Sequence, residues 1–175
     1  IPLEYFDAPK KWLSERSNGI ILFGLSKGAE LALVLASYDP NYKGIVALAP
    51  SNVVWQGFPK DFSKIMQSPS SWSKDGKGLT FVHYRSSEEQ NKLGIDNRHA
   101  ASLTNASAVH DALIKVEDIK SPILLLSGGE DKSWPSETMA NDICNRVGNN
   151  CTHKSYPEGD HLLSEHKNEM FTEVD

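Results

Sequence analysis

The pattern Gly24-Leu25-Ser26-Lys27-Gly28 is the part of the sequence best suited to chemistry. It follows an apolar run at residues 19–23 and precedes an Ala- and Leu-rich stretch, so we expect it at a turn from a strand to a helix. A serine on such a sharp, strained turn presents its hydroxyl as a nucleophile, and glycines on either side remove Cβ atoms that would clash. We therefore predict Ser26 as a nucleophile, with the backbone N–H of Lys27 directed at a developing oxyanion.

A serine hydroxyl needs an adjacent base and a group that orients this base, in the chain order serine, acid, histidine. Asp131 follows a later apolar run and is the predicted acid, with its neighbour Glu130 as the alternative. His161 follows the last predicted strand through a glycine-containing turn and is the predicted base. The other histidines precede the acid or lie within a predicted strand or terminal helix: His83, His99, His110, His153 and His166.

The Lys27 side chain offers a second arrangement, a serine–lysine pair in which the amine is the base. A side chain at this position usually leaves the site along the helix surface, so we predict that the Lys27 side chain is solvated. The predicted catalytic set is therefore Ser26, Asp131 and His161.

Strand and helix patterns alternate along the chain as in an α/β fold. The predicted strands of a mostly parallel sheet are residues 19–23, 44–49 and 122–127, each a buried strand, and, more weakly, residues 151–156. The predicted helices on the two faces are residues 27–37, 100–112 and 134–147, the last with Ser133 as N-cap and Pro135 in its first turn. We also expect a short first helix that Pro9 kinks or interrupts, and a polar helix after His161.

The length of 175 residues is typical of one domain. Residues 57–98 show neither the helical nor the strand pattern of hydrophobic residues, and we predict that they form an insertion over the sheet edge. The net charge of −5 and the absence of a basic block exclude nucleic acid as a partner. No apolar run approaches the roughly 20 residues of a membrane span, and no signal pattern is present, so a cytoplasmic location is predicted. The sequence does not determine the oligomeric state.

No metal, P-loop or dinucleotide spacing occurs, so no metal and no cofactor are predicted. Cys144 and Cys151 are spaced so that a disulfide is allowed. Disulfides are rare in cytosolic proteins, so two free thiols are the expected state.

Five stretches of the sequence are more specific than the serine pattern alone. They are IPLEYFDAPKKWL, GLSKGAELAL, NVVWQGF, SSWSKDGKGL and IKSPILLLSGGEDKSWPSETMA. From residue 1 to about 165, the chain resembles the C-terminal catalytic domain of the acyl-CoA thioesterase and bile acid-CoA:amino acid N-acyltransferase family. Two positions depart from the family pattern: Pro9, and Asp160 where glycine is usual.

The resemblance implies an α/β-hydrolase fold and an acyl-CoA thioester as substrate. Ser26 would attack the carbonyl, His161 would move the proton and Asp131 would orient the imidazole. The resemblance further implies that members of the family that transfer the acyl group have cysteine as the nucleophile. This sequence has Ser26 at that position, which favours hydrolysis to free acid and CoA. The alternatives are acyl transfer to an amino acid amine, a generic carboxylesterase, and a non-catalytic binding domain with this fold.

The resemblance also implies strands before the one that leads to Ser26, and a loop that supplies a second oxyanion donor. Only about eighteen residues precede that strand, and the chain lacks an initiator Met. We therefore expect the chain to be the C-terminal portion of the fold, with the missing strands supplied by residues before Ile1. Loss of one oxyanion donor costs about 10²–10³ in turnover, so weak activity of the chain alone is expected.

Overall fold

The computed structural model of the protein describes residues 1–166 and Glu169. The chain divides into two compact units. We call Pro9–Asn52 with Ile114–Asp175 the sheet unit, and Ile1–Ala8 with Val53–Leu113 the insert unit. The predicted insertion, residues 57–98, lies within the insert unit. That the whole chain forms one domain stays a prediction.

The order of elements follows the alternation that the sequence predicts. The strands are β1 (Ile21–Leu25), β2 (Gly44–Leu48), β3 (Ser73–Lys74), β4 (Lys77–Gly78), β5 (Ile123–Gly128) and β6 (Cys151–Tyr156). The α-helices are α1 (Asp7–Ser14), α2 (Lys27–Tyr38), α3 (Ser87–Leu93), α4 (Arg98–Leu103), α5 (Ala106–Asp111) and α6 (Ser136–Val147). The 3-10 helices are Leu3–Phe6, Phe62–Gln67, Val116–Asp118 and Gly148–Asn150. Within the described residues, no helix has the length and apolar character needed to cross a membrane.

The sheet unit is built on a parallel sheet of four strands in the order β1-β2-β5-β6, flanked by helices. Helix α2 packs against β1 and β2, and α6 packs against β5 and β6. The core contains fully buried apolar side chains from both helices and from the two inner strands: Leu33, Ile45, Leu125 and Ile143. Because all four strands are parallel, the loops after their carboxyl ends gather at one edge of the sheet.

Strand β1 departs from the prediction of a strand buried on both faces. Ile21 is 63% exposed and Phe23 is 58% exposed, whereas Gly24 between Phe23 and Leu25 is buried. In the part of the chain that the structure describes, β1 pairs only with β2 and is therefore an edge strand. One face of β1 packs on α2, and the face with Ile21 and Phe23 is open. An apolar run does not by itself report how many neighbours a strand has.

In the insert unit, a small antiparallel hairpin of β3 and β4 precedes three short helices. The single helix predicted for residues 100–112 is wrong, because two helices, α4 and α5, occupy this stretch. Asn105 separates them: its side chain accepts a hydrogen bond from the N–H of Ala108 and caps α5. Asn is a strong N-cap residue because its side chain satisfies an N–H that the first turn leaves unpaired.

Two local predictions about helix ends also need correction. Pro9 does not interrupt a helix, because α1 begins at Asp7 and places Pro9 in the first turn, where no N–H is needed. Ser133 is not the N-cap of α6, since that position is Pro135. Turns follow from residue 161 to residue 165, and the polar helix predicted after His161 falls mostly on residues outside the described part of the structure, so it stays a prediction.

Cys144 and Cys151 form a disulfide, so the expectation of two free thiols is wrong. Cys144 lies in the last turn of α6 and Cys151 is the first residue of β6. The intervening turn at Gly148–Asn150 brings their Cα atoms to 5.1 Å, within the range that a disulfide spans. The bridge joins the end of α6 to the start of β6.

Replacing both cysteines (Cys144→Ser with Cys151→Ser) should lower the free energy of unfolding by about 2–3 kcal/mol. This is the value expected from loop-closure entropy for a bridge of sequence separation 7. Urea unfolding of the double variant, beside wild type with and without reductant, measures the effect. Equal midpoints for all three samples would show that the bridge does not stabilise the fold.

Candidate active site

Ser26 occupies the turn between β1 and α2, as the sequence predicts. Its backbone has φ 57° and ψ −120°, a conformation that non-glycine residues rarely adopt. The Ser26 N–H donates to the carbonyl of Leu48 at 2.9 Å, and the Ser26 carbonyl accepts from the N–H of Glu30 at 3.1 Å. These two bonds attach the strained turn to β2 on one side and to the first turn of α2 on the other.

The two glycines of the pattern have different roles. A Cβ on Gly24 would lie 2.1 Å from the carbonyl oxygen of Gly28, so the strand and the helix approach too closely there for any side chain. A Cβ on Gly28 would meet nothing within 4 Å. The prediction that both glycines relieve a clash is therefore correct for Gly24 and wrong for Gly28.

This difference predicts opposite effects of two conservative substitutions on stability. Gly24→Ala should destabilise the chain by about 3 kcal/mol or more, because the added methyl group meets the backbone rather than a mobile side chain. Gly28→Ala should stabilise it by about 0.5–1 kcal/mol, because Gly28 lies within α2 and alanine favours the helix. Urea unfolding of the two variants compares them directly. Shifts of the midpoint in the same direction would contradict the conclusion that a side chain clashes at Gly24 and has room at Gly28.

The side chain of Lys27 is not solvated, contrary to the prediction. Its Nζ donates to Oε2 of Glu30 at 2.5 Å, and the Glu30 carboxylate is fully buried. Burial lowers the pKa of Lys27, and the Glu30 charge offsets part of that shift. The amine is thus engaged with Glu30 beside the turn.

The three predicted catalytic residues lie together in the sheet unit. Nε2 of His161 lies 2.8 Å from Oγ of Ser26, and Nδ1 of His161 lies 2.8 Å from Oδ2 of Asp131. With the imidazole proton on Nδ1, the ring donates to Asp131 and accepts the hydroxyl hydrogen of Ser26. This hydrogen-bonded chain of acid, base and hydroxyl can remove a proton from Ser26 as it attacks a carbonyl carbon.

The alternative acid, Glu130, is exposed, and the structure places Asp131 rather than Glu130 on the His161 ring. The Asp131 carboxylate is 1% exposed, and its second oxygen accepts from the N–H groups of Ser133 at 2.8 Å and Trp134 at 3.3 Å. Burial raises the pKa of Asp131, but the bonds from His161 and the Ser133 N–H outweigh it, so that the pKa lies below its ordinary value. Asp131 is therefore ionised and oriented at neutral pH.

The loops that carry Asp131 and His161 are in direct backbone contact. The N–H of Glu130 donates to the carbonyl of Gly159 at 3.0 Å. At Gly128, a Cβ would lie 2.2 Å from that same carbonyl oxygen, so a residue with a side chain would force the loops apart. The acid and the base are thus aligned mainly by main-chain contacts.

Two residues beside His161 shape its loop. The Asp160 carboxylate accepts from the N–H groups of Ser164 and Leu162, both at 3.0 Å, and caps the turn that follows His161. The bond from Ser164 contributes most to holding the pKa of Asp160 below its ordinary value. Leu163 is fully buried in a cluster with Leu126 and anchors the turn in the core. Asp160 thus has a structural role at the position where it departs from the family pattern.

Trp134 is a positioning residue that the sequence analysis assigned only to a helix start. Its ring meets the His161 ring edge-to-face at a centroid distance of 4.8 Å. Its indole N–H donates to the carbonyls of Pro50 at 3.1 Å and Ala49 at 3.3 Å, and the residue is 3% exposed. Trp134 therefore fixes one side of the imidazole. In the sequence, the one indication of this role is that Trp134 follows the predicted acid, Asp131, by three residues.

An open cleft of about 430 Å³ adjoins His161. Its lining residues come from the acid and base loops: Glu130, Lys132, Ser133, Asp160, His161 and Leu162. Within residues 1–166 and Glu169, no group of three His, Cys, Asp or Glu side chains is arranged to hold a metal ion. The arrangement at the sheet edge is suited to acyl transfer through a serine nucleophile.

A family model described as "BAAT / Acyl-CoA thioester hydrolase C terminal" matches residues 1–165. The human protein "Acyl-coenzyme A thioesterase 2, mitochondrial" is 29% identical over 182 residues, which cover 92% of this chain and 33% of that protein. The rat protein "Acyl-coenzyme A thioesterase 1" is 30% identical over 169 residues, 92% of this chain and 37% of that protein. The chain therefore spans about a third of the length of these relatives.

Solved structures share the fold at low sequence identity. A monoacylglycerol lipase from Paleococcus ferrophilus has a TM-score of 0.59 and 18% identity, covering 98% of this chain and 71% of the lipase chain. The esterase domain of a Rhodothermus marinus protein has a TM-score of 0.56 and 16% identity, covering 98% of this chain and 65% of that chain. The four-stranded parallel sheet with its helices is thus part of an α/β-hydrolase fold, as predicted.

Proposed function

Since the chain belongs to the BAAT / acyl-CoA thioester hydrolase C-terminal family, we propose that it hydrolyses acyl-CoA thioesters to free acid and CoA through an acyl-enzyme on Ser26. The observation that supports this proposal most is the hydrogen-bonded series Ser26, His161 and Asp131, with both distances at 2.8 Å. Its position after parallel strands is the one at which α/β folds collect functional residues.

In the proposed first step, Ser26 Oγ attacks the thioester carbonyl carbon while His161 Nε2 takes the hydroxyl proton. The carbonyl oxygen becomes an oxyanion, which the backbone N–H of Lys27 stabilises. When the carbonyl re-forms, the C–S bond breaks, and the CoA sulfur leaves with the proton from His161. The acyl group is now an ester of Ser26. Throughout, Asp131 holds the imidazole in the required tautomer and stabilises its positive charge.

In the proposed second step, a water molecule gives its proton to His161 and attacks the ester carbonyl. Collapse of this intermediate returns the proton to Ser26 Oγ and releases the free acid. An amine in place of water would give an amide, which is the acyl-transfer alternative. Serine at position 26 favours water, since the resemblance associates transfer with cysteine.

An acyl-CoA panel with a thiol-specific dye tests the proposal, with Ser26→Ala as control. We expect CoA release with an equal amount of free acid by mass spectrometry, and loss of both in Ser26→Ala. Release of CoA with formation of an amide when an amino acid is added would instead identify a transferase. Hydrolysis of a p-nitrophenyl ester without hydrolysis of any acyl-CoA would contradict the thioester assignment and favour a carboxylesterase.

The sequence predicts a cytoplasmic location for the chain. Cytosolic glutathione and thioredoxin keep thiols reduced, so the disulfide between Cys144 and Cys151 weighs against that prediction.

A further inference from the structure

Two stretches of the chain carry the acceptor pattern of N-linked glycosylation, which is asparagine, any residue except proline, and then serine or threonine. They are Asn105-Ala106-Ser107 in the insert unit and Asn150-Cys151-Thr152 in the sheet unit. The proposed hydrolysis uses neither stretch. A glycan is bulky and hydrophilic, so an acceptor asparagine has to lie on the surface of the folded protein.

The acceptor stretch of the sheet unit lies on a short polar turn. Asn150 is the last residue of the 3-10 helix Gly148–Asn150, which joins α6 to β6. Asn150 and Thr152 are both exposed, and so are Gly148 and Asn149 before them. A glycan on Asn150 would therefore enter solvent without displacing a side chain of the core.

The turn at Asn150 lies at the edge of the sheet away from the catalytic residues. Ser26, Asp131 and His161 all follow the carboxyl ends of strands, whereas Asn150 directly precedes the first residue of β6. Each residue of a parallel strand adds about 3.3 Å, so the six residues of β6 separate the two edges by roughly 17 Å. A glycan attached there is compatible with the proposed hydrolysis and does not depend on it.

The middle residue of this acceptor stretch supplies an independent observation. Cys151 forms a disulfide with Cys144. Disulfides form and persist in the lumen of the endoplasmic reticulum and outside the cell, and they are rare in the cytosol. N-linked glycosylation belongs to proteins that pass through the same lumen. The disulfide and the acceptor pattern, which share one turn of the chain, thus indicate the same compartment.

The acceptor stretch of the insert unit lies at the start of α5. Asn105, Ala106 and Ser107 are all exposed. The side-chain oxygen of Asn105 accepts a hydrogen bond from the N–H of Ala108 at 3.2 Å and caps the helix. A glycan is bonded to the side-chain nitrogen, so the oxygen stays available for the cap. Glycosylation of Asn105 therefore leaves the start of α5 intact.

We propose that Asn105 and Asn150 are N-glycosylation sites and that the protein matures in the lumen where the disulfide forms. In the modifying reaction, Nδ2 of the asparagine attacks the anomeric carbon of an oligosaccharide that is carried on a lipid pyrophosphate. The N–C bond forms, the C–O bond to the pyrophosphate breaks, and a base of the transferase takes the amide proton. The reaction involves no oxidation or reduction and no residue of the proposed triad.

A reversible pair of thiols in the cytosol is the other interpretation of the disulfide. Cytosolic thiols are kept reduced, so Cys144 and Cys151 would then be mainly free in the native protein. Both acceptor asparagines would be unmodified. The two interpretations therefore differ in two properties that can be measured on one sample.

Peptide mass spectrometry of the full-length protein, purified from the cells that naturally produce it, tests the proposal. Free thiols are alkylated at lysis, and a peptide N-glycosidase in water labelled with heavy oxygen converts each glycosylated asparagine to labelled aspartate. We expect label at Asn105 and Asn150, and Cys144 and Cys151 in a disulfide. Asn145 is the internal control, because it is exposed but is followed by Arg and Val, and it should stay unlabelled.

Unlabelled asparagine at both positions would overturn the proposal, and unlabelled asparagine at one position would remove that site. Label at Asn145, or label without the glycosidase, would show that the aspartate comes from spontaneous deamidation and would equally remove the support. Loss of fluorophosphonate labelling at Ser26 would concern the proposed hydrolase alone, because glycosylation does not use the triad.

Variants of the full-length protein in eukaryotic cells give a second test. Thr152→Ala should lose the glycan on Asn150, whereas the matched variant Thr152→Ser keeps the acceptor pattern and the glycan. In the same way, Ser107→Ala should lose the glycan on Asn105 and Ser107→Thr should keep it, and both retain the cap of α5. The gel shift on glycosidase treatment is measured on total protein, so a variant that fails to fold still gives a result. Equal shifts for the alanine variants and wild type would contradict both sites.

Discussion

His161→Gln will lower the turnover of an acyl-CoA thioester by about 10⁶-fold, the size of effect seen when the base of a serine triad is removed. Glutamine can still hydrogen-bond to Asp131, but it cannot take the proton of Ser26. The value of kcat at saturating acyl-CoA measures the effect. Turnover within tenfold of wild type would show that His161 is not the base.

His153→Gln is the matched control for this substitution. His153 also bonds to a serine and an amide, with Nε2 2.7 Å from Oγ of Ser127 and Nδ1 2.9 Å from Oδ1 of Asn141. Ser127, however, is completely buried and cannot reach a substrate. We expect His153→Gln to have a kcat of the same order of magnitude as wild type. The loss in His161→Gln would then be due to loss of the catalytic base and not to the removal of any histidine.

Asp131→Asn will lower kcat by about 10⁴-fold, because the amide no longer selects the imidazole tautomer with its proton on Nδ1 and no longer stabilises the imidazolium. The control is Glu130→Gln, the adjacent carboxylate, which should leave kcat at the wild-type order. Steady-state kinetics with one acyl-CoA compares the two variants. A large loss in Glu130→Gln with little loss in Asp131→Asn would exchange their roles.

The sequence was sufficient to predict the four strands of the parallel sheet and the turn that carries the nucleophile, but not the hairpin of β3 and β4. Residues 44–49, 122–127 and 151–156 are predicted strands, and the structure has β2, β5 and β6 at these places. Predictions from local sequence work here because buried parallel strands and the helix α2 have strong hydrophobic patterns. The chain order of Ser26, Asp131 and His161 then suffices to select three residues, of which His161 lies within hydrogen-bonding distance of both Ser26 and Asp131.

The features that the sequence did not predict depend on contacts between residues far apart in the sequence, or on backbone geometry. The exposure of Ile21 reflects the position of β1 at the sheet edge, which its apolar run does not encode. Lys27 is held by Glu30, a residue of the first turn of α2 whose side chain is fully buried, and periodicity alone does not reveal a buried carboxylate. Trp134 contacts His161 only because two loops meet, and the disulfide forms only because one turn brings α6 back to β6.

Covalent labelling with a fluorophosphonate, followed by intact-mass measurement on wild type and Ser26→Ala, tests the central claim most directly. This reagent modifies serines that an adjacent base activates, and it does not require the correct acyl-CoA. The account predicts one adduct per chain on wild type and none on Ser26→Ala. No adduct on wild type, or an adduct that persists in Ser26→Ala, would contradict the claim that His161 and Asp131 activate Ser26.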